Sequence, residues 1–426
     1  MGLFVLLGAF TLAMMAGIPI AFALGISALA AALVEGLPEL IVFQRMVSGM
    51  SGFTLLAIPF FVFAGELMMH GGIALRLVRF AETLVGQVRG GLGVVNVLSS
   101  MLFGGISGSA VADTSALGSV MIPMMREKGY RDDYSVNVTV TSSIAGIMIP
   151  PSHNMILYAL AAGGGISIPA LFLAGIMPGI LMCVMLAVAA YVVAIKHGYP
   201  SSEFPGWKVV AIAAASALPG FFTAVVIIGG VLSGVFTVTE SAAIGAIWAL
   251  LVTLIVYRSL SWNAFRQSLT QAIRTTALVM ILVGSATAFA YFLALYQVPD
   301  KIMTLMLSIS DSKIMILLMV NLALLVLGMF MDMAALILIC TPIFLPVVRE
   351  YGVDPVQFGM ILMMNLGLGL TTPPVGGCLF VGCAVAKVRI ESVLKTIWPF
   401  YAAILVALLL TTYIPAVSLT LPSLFL

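Results

Sequence analysis

Charge is what this chain has least of. Lys and Arg number 18, Asp and Glu 16, and together they make up 8% of the residues, against roughly 25% in a soluble globular protein. A net charge of +2 leaves no footprint for nucleic acid or for an acidic surface partner. Histidine is scarcer still, at three, and no His-Glu-x-x-His pattern or acidic cluster accompanies it, which speaks against a metallohydrolase. The four cysteines, Cys183, Cys340, Cys378 and Cys383, all sit in apolar stretches. Cys378 and Cys383 are five apart with no His nearby, a spacing that fits neither zinc nor a disulfide framework. No Gly-x-x-x-x-Gly-Lys-Ser/Thr loop occurs, so direct ATP coupling is not expected. No nucleophile with a base argues for an intramembrane enzyme, and no filter motif argues for a channel.

What the chain has in abundance is apolar sequence: 62% of residues, with a mean hydropathy of +1.22. Apolar runs of 18 or more recur throughout, the mark of a polytopic all-α membrane protein. The short alternating segments of a β-barrel are missing. The first apolar run exceeds 30 residues and no Lys or Arg precedes it, so it reads as a first transmembrane helix, not a cleaved signal peptide. The 27 methionines suit lipid-facing positions and core filling.

The block at residues 92–125 is too long for one simple span, and its centre is Gly104-Gly105-Ile106-Ser107-Gly108-Ser109-Ala110-Val111-Ala112-Asp113. Gly turns without a Cβ penalty and Ser can serve freed backbone groups. Two half-length helices meeting at a polar tip would form a re-entrant hairpin; one tilted helix using small residues for close packing is the alternative. Upstream, residues 3–34 read as one span interrupted at Gly17-Ile18-Pro19, and 53–69 as a second containing Pro59 and Glu66. Residues 73–89 mix Leu and Val with Arg76, Arg79, Glu82 and Arg89, an amphipathic surface helix. Downstream, 136–163 is broken at Ile149-Pro150-Pro151-Ser152, where two prolines remove two amide donors and disfavour helix at Ile149. Residues 169–195 span again, and the aqueous loop 196–208 marks the midpoint.

The second half replays the first. Spans 209–233 and 238–257 lead to a second arginine-bearing connector at 258–274, then a span at 275–297. The block 314–348 contains Gly328, Asp332 and Pro342, and 356–386 is broken at Leu370-Thr371-Thr372-Pro373-Pro374. A basic loop (Lys387, Arg389, Lys395) precedes a last span, 396–416. Asp113 precedes Pro123 by ten positions and Asp332 precedes Pro342 by ten; the proline doublets begin 27 and 31 residues later. Matched Gly/Pro-interrupted apolar segments in two halves are the sequence mark of a duplicated transporter and of its substrate site. Whether the repeat is inverted turns on an odd number of crossings per half. The arginines of both connectors argue for one common face, and an inverted repeat would separate them.

Several motifs carry a family resemblance: residues 104–113 as written above, Ile149-Pro150-Pro151-Ser152, Phe236-Thr237-Val238-Thr239-Glu240-Ser241-Ala242-Ala243, and Leu56-Ala57-Ile58-Pro59-Phe60-Phe61-Val62-Phe63-Ala64-Gly65. Together they resemble the large membrane subunit of tripartite ATP-independent periplasmic (TRAP) transporters over essentially the whole chain. The resemblance implies sodium-driven uptake of an organic acid across a bacterial inner membrane. Sialic acids, C4-dicarboxylates and keto-sugar acids are all compatible substrates. It also implies two partners, a small four-helix membrane subunit and a periplasmic substrate-binding protein. No helices precede Gly2, so the small subunit is expected as a separate chain. The implied fold is an inverted-repeat elevator, whose transport domain carries two hairpins and moves against a scaffold. On that plan the chain divides into scaffold and connector (1–91), first hairpin and broken helix (92–168), scaffold and second connector (169–274), second hairpin and broken helix (275–395), and a terminal helix (396–426). A self-sufficient carboxylate–sodium symporter or exchanger is the alternative.

Sodium needs oxygen ligands, and unwound carbonyls supply them. The first-half candidates are Ser107, Gly108 and Ser109 with the carbonyls of Gly146, Ile149 and Pro151; the second-half candidates are Gly328 with Gly367, Leu370 and Pro373. Two sodium sites at such junctions follow from the resemblance. For the substrate anion, Ser152 and Thr372 flank the breaks, where half-helices offer free amides, although each equally suits capping its own helix. Asp113 is a further substrate or cation candidate. It and Asp332 either bind a cation or tie down a hairpin tip, and Glu240 reads as an N-terminal charge on its helix. Glu66 is a candidate because acids inside membrane segments usually are. His153, alone, fits a packing role.

Overall fold

The computed structural model describes the backbone of residues 1–426 and the side chains of all but Ile106 and Ser107. The first half comprises α1 (Gly2–Met15), α2 (Ile20–Val34), α3 (Leu40–Met50), α4 (Ala57–His70), α5 (Ile73–Val85), α6 (Gly91–Ser107), α7 (Ala110–Glu127), α8 (Asp132–Ser142), α9 (Ala145–Met148), α10 (His153–Ala161) and α11 (Ile168–His197). The second comprises α12 (Trp207–Leu232), α13 (Val238–Leu251), α14 (Trp262–Leu295), α15 (Val298–Ile309), α16 (Lys313–Gly328), α17 (Met333–Glu350), α18 (Pro355–Gly369), α19 (Gly377–Ala386), α20 (Ile390–Leu394), α21 (Trp398–Tyr413) and α22 (Pro415–Phe425). No strand occurs among the described residues. Among the described residues, six helices are long and apolar enough to cross a bilayer, or up to eight if each bent pair is one span.

The block 92–125 is a helical hairpin and not a single tilted helix. Gly108 ends α6 at φ +63, and Ser109 begins α7 by accepting the Ala112 amide at its hydroxyl, as N-cap serines do. The matching pair α16 and α17 turns at residues 329–332, where the Asp332 carboxylate accepts the Ala334 amide at 3.0 Å. Each hairpin stands beside a helix broken at a proline doublet. The first bends by 54° between α9 and α10, because Pro150 and Pro151 cannot donate to the carbonyls one turn back. Both doublets carry a cis peptide bond.

The halves before the breaks form the centre of the molecule. Residues 134–142 of α8 and 357–369 of α18 are all buried, so these helices are enclosed on every face. Several of their polar groups are served by neighbouring helices: Asn96 donates to Thr139 Oγ1 at 2.6 Å, Ser100 and Ser142 share a 2.8 Å bond, and Asn365 donates to Asn321 Oδ1 at 2.6 Å.

Hydrogen bonds also tie helix ends to one face or the other. Arg126, at the open end of the first hairpin, donates to the Ala386 carbonyl at the end of α19. Lys313, at the open end of the second, donates to the Gly352 carbonyl, and close by Tyr158 near the end of α10 donates to the Pro355 carbonyl at the start of α18. The broken helix α8 to α10 runs from the first of these groups to the second. The two hairpins therefore open beside opposite ends of the broken helices.

Two expectations need correcting. Residues 3–34 are not one interrupted span, because Gly17 takes φ +76 and α2 folds back on α1. The chain is reversed far enough that a methyl on Gly2 would run into Glu35. Nor is 258–274 a separate surface connector: residues 262–274 are the opening turns of the 34-residue α14. The amphipathic helix that precedes the second hairpin is α15, which carries Asp300 and Lys301 and no arginine. The conflict posed by two arginine-rich connectors disappears with it.

Candidate functional site

The tip of the first hairpin lies on the first break. A methyl placed on Gly108 would approach the Pro151 carbonyl oxygen to 3.2 Å and His153 Nδ1 to 3.4 Å, and one on Gly105 would meet the Pro150 carbonyl at 2.9 Å. Asn154 reaches the Gly108 carbonyl at 3.5 Å. Below the tip, a methyl on Gly104 would lie 2.8 Å from Gly146 Cα. Gly108, Ser109, Gly146, Ile149, Pro151 and Ser152 are thus brought together. The Ser107 side chain is outside the described residues. The Gly146 and Ile147 carbonyls would pair with positions 150 and 151 in a continuous helix, and proline has no donor to give them. Ser152 is wholly buried; it sits at the N-cap of α10 without capping it, and its hydroxyl has no hydrogen-bond partner among the described residues. Its expected alternative role as a cap is not what the geometry shows.

The second break is built alike but serves its own oxygens more fully. Gly328 packs on Gly369, where a methyl would lie 2.5–2.7 Å from the Gly328 backbone, and the Met329 carbonyl accepts the Val375 amide at 3.1 Å. Gly367 is not part of this contact: it faces Ile144 of the other half, 2.7 Å from where its Cβ would be. The Leu370 carbonyl already accepts the Cys378 amide at 2.9 Å. Thr372 donates to the Gly369 carbonyl at 2.9 Å, which is the capping role. Pro373 is half-buried beside it.

The four acids separate by environment. Asp113 lies fully buried in the first turn of α7. Asp332 caps α17, tying down its hairpin tip. Glu240 closes a capping box with Thr237 at the start of α13. Glu66 faces a cavity.

That cavity, of about 780 Å³, separates the hairpins from the outer helices. One wall is made by the two hairpin tips, at Ser109, Ala110, Ala112, Asp332 and Ala334, with His153 and Asn154 from the first break and Leu370 from the second. The opposite wall is α4 and α14, presenting Glu66, His70, Gln267, Gln271 and Thr275. Glu66 Oε2 lies 3.6 Å from His70 Nδ1, which is also 3.2 Å from the Ser268 hydroxyl. Among the described residues, no Lys or Arg lines the cavity. Helices α7, α10 and α17 begin at this wall, where helix dipoles favour negative charge, and at α17 the Asp332 carboxylate already takes that place. Of the outer wall only Glu66 was singled out from sequence. The others left a readable trace, since 66 and 70, and 267, 271 and 275, fall at four-residue spacing on single helix faces.

The family described as tripartite ATP-independent periplasmic transporter, DctM component, matches residues 7–417. This chain belongs to that family of TRAP transporter large permeases. Among relatives, the uncharacterized protein YgiK of Salmonella typhimurium is 43% identical, covering 99% of this chain and 97% of its own length. The sialic acid TRAP transporter large permease SiaM of Vibrio cholerae is 38% identical, covering 96% of each chain. The C4-dicarboxylate TRAP transporter large permease DctM of Pseudomonas aeruginosa is 40% identical, covering 87% of this chain and 86% of its own. Among solved structures, the YdaH transporter of Alcanivorax borkumensis superposes with a TM-score of 0.64 over 88% of each chain at 13% identity, a likeness of fold alone. The permease is accordingly a membrane transport component and not an enzyme.

Proposed function

We propose that this large permease imports an organic acid coupled to sodium, by an elevator movement of the two hairpins and broken helices against a scaffold that includes α4 and α14. The observation that carries this reading is the cavity walled on one side by both hairpin tips and on the other by α4 and α14. A substrate held there touches a part built to move and a part built to stay. Two sodium ions would be carried as cargo beside it, one at each break, since a hard cation takes oxygen ligands and broken membrane helices expose backbone carbonyls to supply them. The first site would use the Gly108, Gly146, Ile149 and Pro151 backbone with the Ser152 hydroxyl, and Ser109. The second would use backbone oxygens of Gly328, Gly367, Leu370 and Pro373. Asp113, buried in its hairpin, and Thr372, bonded to its own helix, recede as direct substrate ligands.

The opposed openings of the hairpins support an inverted repeat. The face holding Arg126, Arg131, Lys387 and Arg389 is the cytoplasmic one by the positive-inside rule. The relatives named for sialic acid and C4-dicarboxylates favour an organic acid as substrate. A small membrane subunit and a periplasmic binding protein would complete the transporter in a bacterial inner membrane. The test is reconstitution into proteoliposomes under an inward sodium gradient. Uptake is expected when the permease, small subunit and binding protein are present together and is expected to vanish when the binding protein is omitted. Robust uptake by the permease alone would overturn the tripartite assignment in favour of a self-sufficient symporter.

A further inference from the structure

Away from the substrate cavity, a second hollow of about 870 Å³ lies where α19 ends and the chain passes through α20 toward α21. Its composition is divided by depth. Phe380 and Ala384, on α19, form an apolar wall, and Phe380 is 48% exposed. Lys387, Arg389 and Lys395 form the rim, with Glu391 as the one carboxylate among the lining residues. None of these three cations has an ion-pair partner among the described residues, whereas neighbouring Arg126 and Arg131 are held by Asp132 and Asp133 at 2.7 and 2.8 Å. Trp398, 69% exposed at the start of α21, marks the depth of the interface, where tryptophan rings settle. An apolar wall below a cluster of unneutralised cations at that depth has the polarity of a lipid turned headgroup-outward.

We infer that this hollow binds the phosphate headgroup of an anionic phospholipid, with the acyl chain along Phe380 and the phosphate among Lys387, Arg389 and Lys395. Basic pockets between membrane helices recognise phosphorylated headgroups in this way. A free phosphate would satisfy the same cations but would gain nothing from the apolar wall, and the exposed Phe380 favours the lipid. The site is independent of the substrate assignment, since no residue of the cavity between the hairpins and the scaffold contributes to it.

Native mass spectrometry of the purified permease, titrated with phosphatidylglycerol and separately with phosphatidylcholine, tests this. Saturable binding of phosphatidylglycerol over phosphatidylcholine is expected. Each cation removed should weaken binding about fivefold, and the triple variant Lys387→Gln, Arg389→Gln, Lys395→Gln by roughly a hundredfold. Phe380→Gln should also weaken it, and excess inorganic phosphate should leave the lipid in place. Both variants should melt with the wild-type protein, because the altered side chains are exposed and unpaired. Equal phosphatidylglycerol binding by the triple variant and the wild type overturns the site. Displacement of the lipid by inorganic phosphate, with Phe380→Gln unaffected, overturns the lipid as its occupant. Should the triple variant melt lower, the three single variants decide: binding unchanged in all of them would equally overturn the site.

Discussion

Alanine at Gly104 or at Gly369 is expected to shift the sodium dependence of uptake about tenfold to a hundredfold higher while leaving the amount of inserted protein unchanged. These two glycines hold the arm of each hairpin against the helix that breaks at the prolines. A methyl at Gly104 would lie 2.8 Å from the Gly146 backbone, and one at Gly369 would lie 2.5–2.7 Å from the Gly328 backbone. What stands in the way is main chain in both places, so no side-chain rotation relieves the clash. Overpacking of this kind costs about 1–3 kcal/mol, and every 1.4 kcal/mol is a factor of ten in an equilibrium. If that cost falls on the closed junction, sodium affinity drops by about tenfold to a hundredfold at the altered half. Insertion depends on the hydropathy of whole segments, which one methyl does not alter. Uptake at saturating and subsaturating sodium, normalised to inserted protein, is the measurement. Unchanged sodium dependence in both variants would remove these junctions from the ion pathway.

Ser152→Ala should raise the sodium concentration for half-maximal uptake by about tenfold or more, the worth of a hydroxyl that contacts a charged group. The same substitution should not lower the melting temperature in sodium-free buffer. The hydroxyl is wholly buried and bonds to none of the described residues, so removing it leaves none of them newly unsatisfied. A structural serine would behave in reverse, with a lower melting temperature and unaltered sodium dependence.

How much of this was legible in the chain differs by kind of feature. The hairpin tips and the two breaks are local chemistry, written in Gly108, Ser109 and the proline doublets, and they fold where the sequence places them. Gly17-Ile18-Pro19 carries the same kind of signal, but two helices of 14 and 15 residues flank it. Their summed length reads as one span unless the reversal at Gly17 is known. The long α14 was obscured because Arg266 and Arg274 resemble a surface stripe, although the helix continues past them without a stop. Gly367 and Gly369 show a limit of another sort. Two positions apart on a helix, they point about 200° apart, so one faces Ile144 and the other the hairpin. Periodicity supplies the spacing of such a pair but not its phase. The outer wall of the cavity joins α4 to α14 across some 200 residues of chain, and no local pattern announces that pairing.

The most direct test of the account is the number of sodium ions bound by the purified permease at equilibrium. Two per chain are expected at a sodium concentration just sufficient to fill both sites, with one retained there when Gly369→Ala weakens the second junction and one retained when Gly104→Ala weakens the first. Absence of saturable sodium binding, or full binding in both variants, would contradict the claim that each broken helix and its hairpin hold one ion.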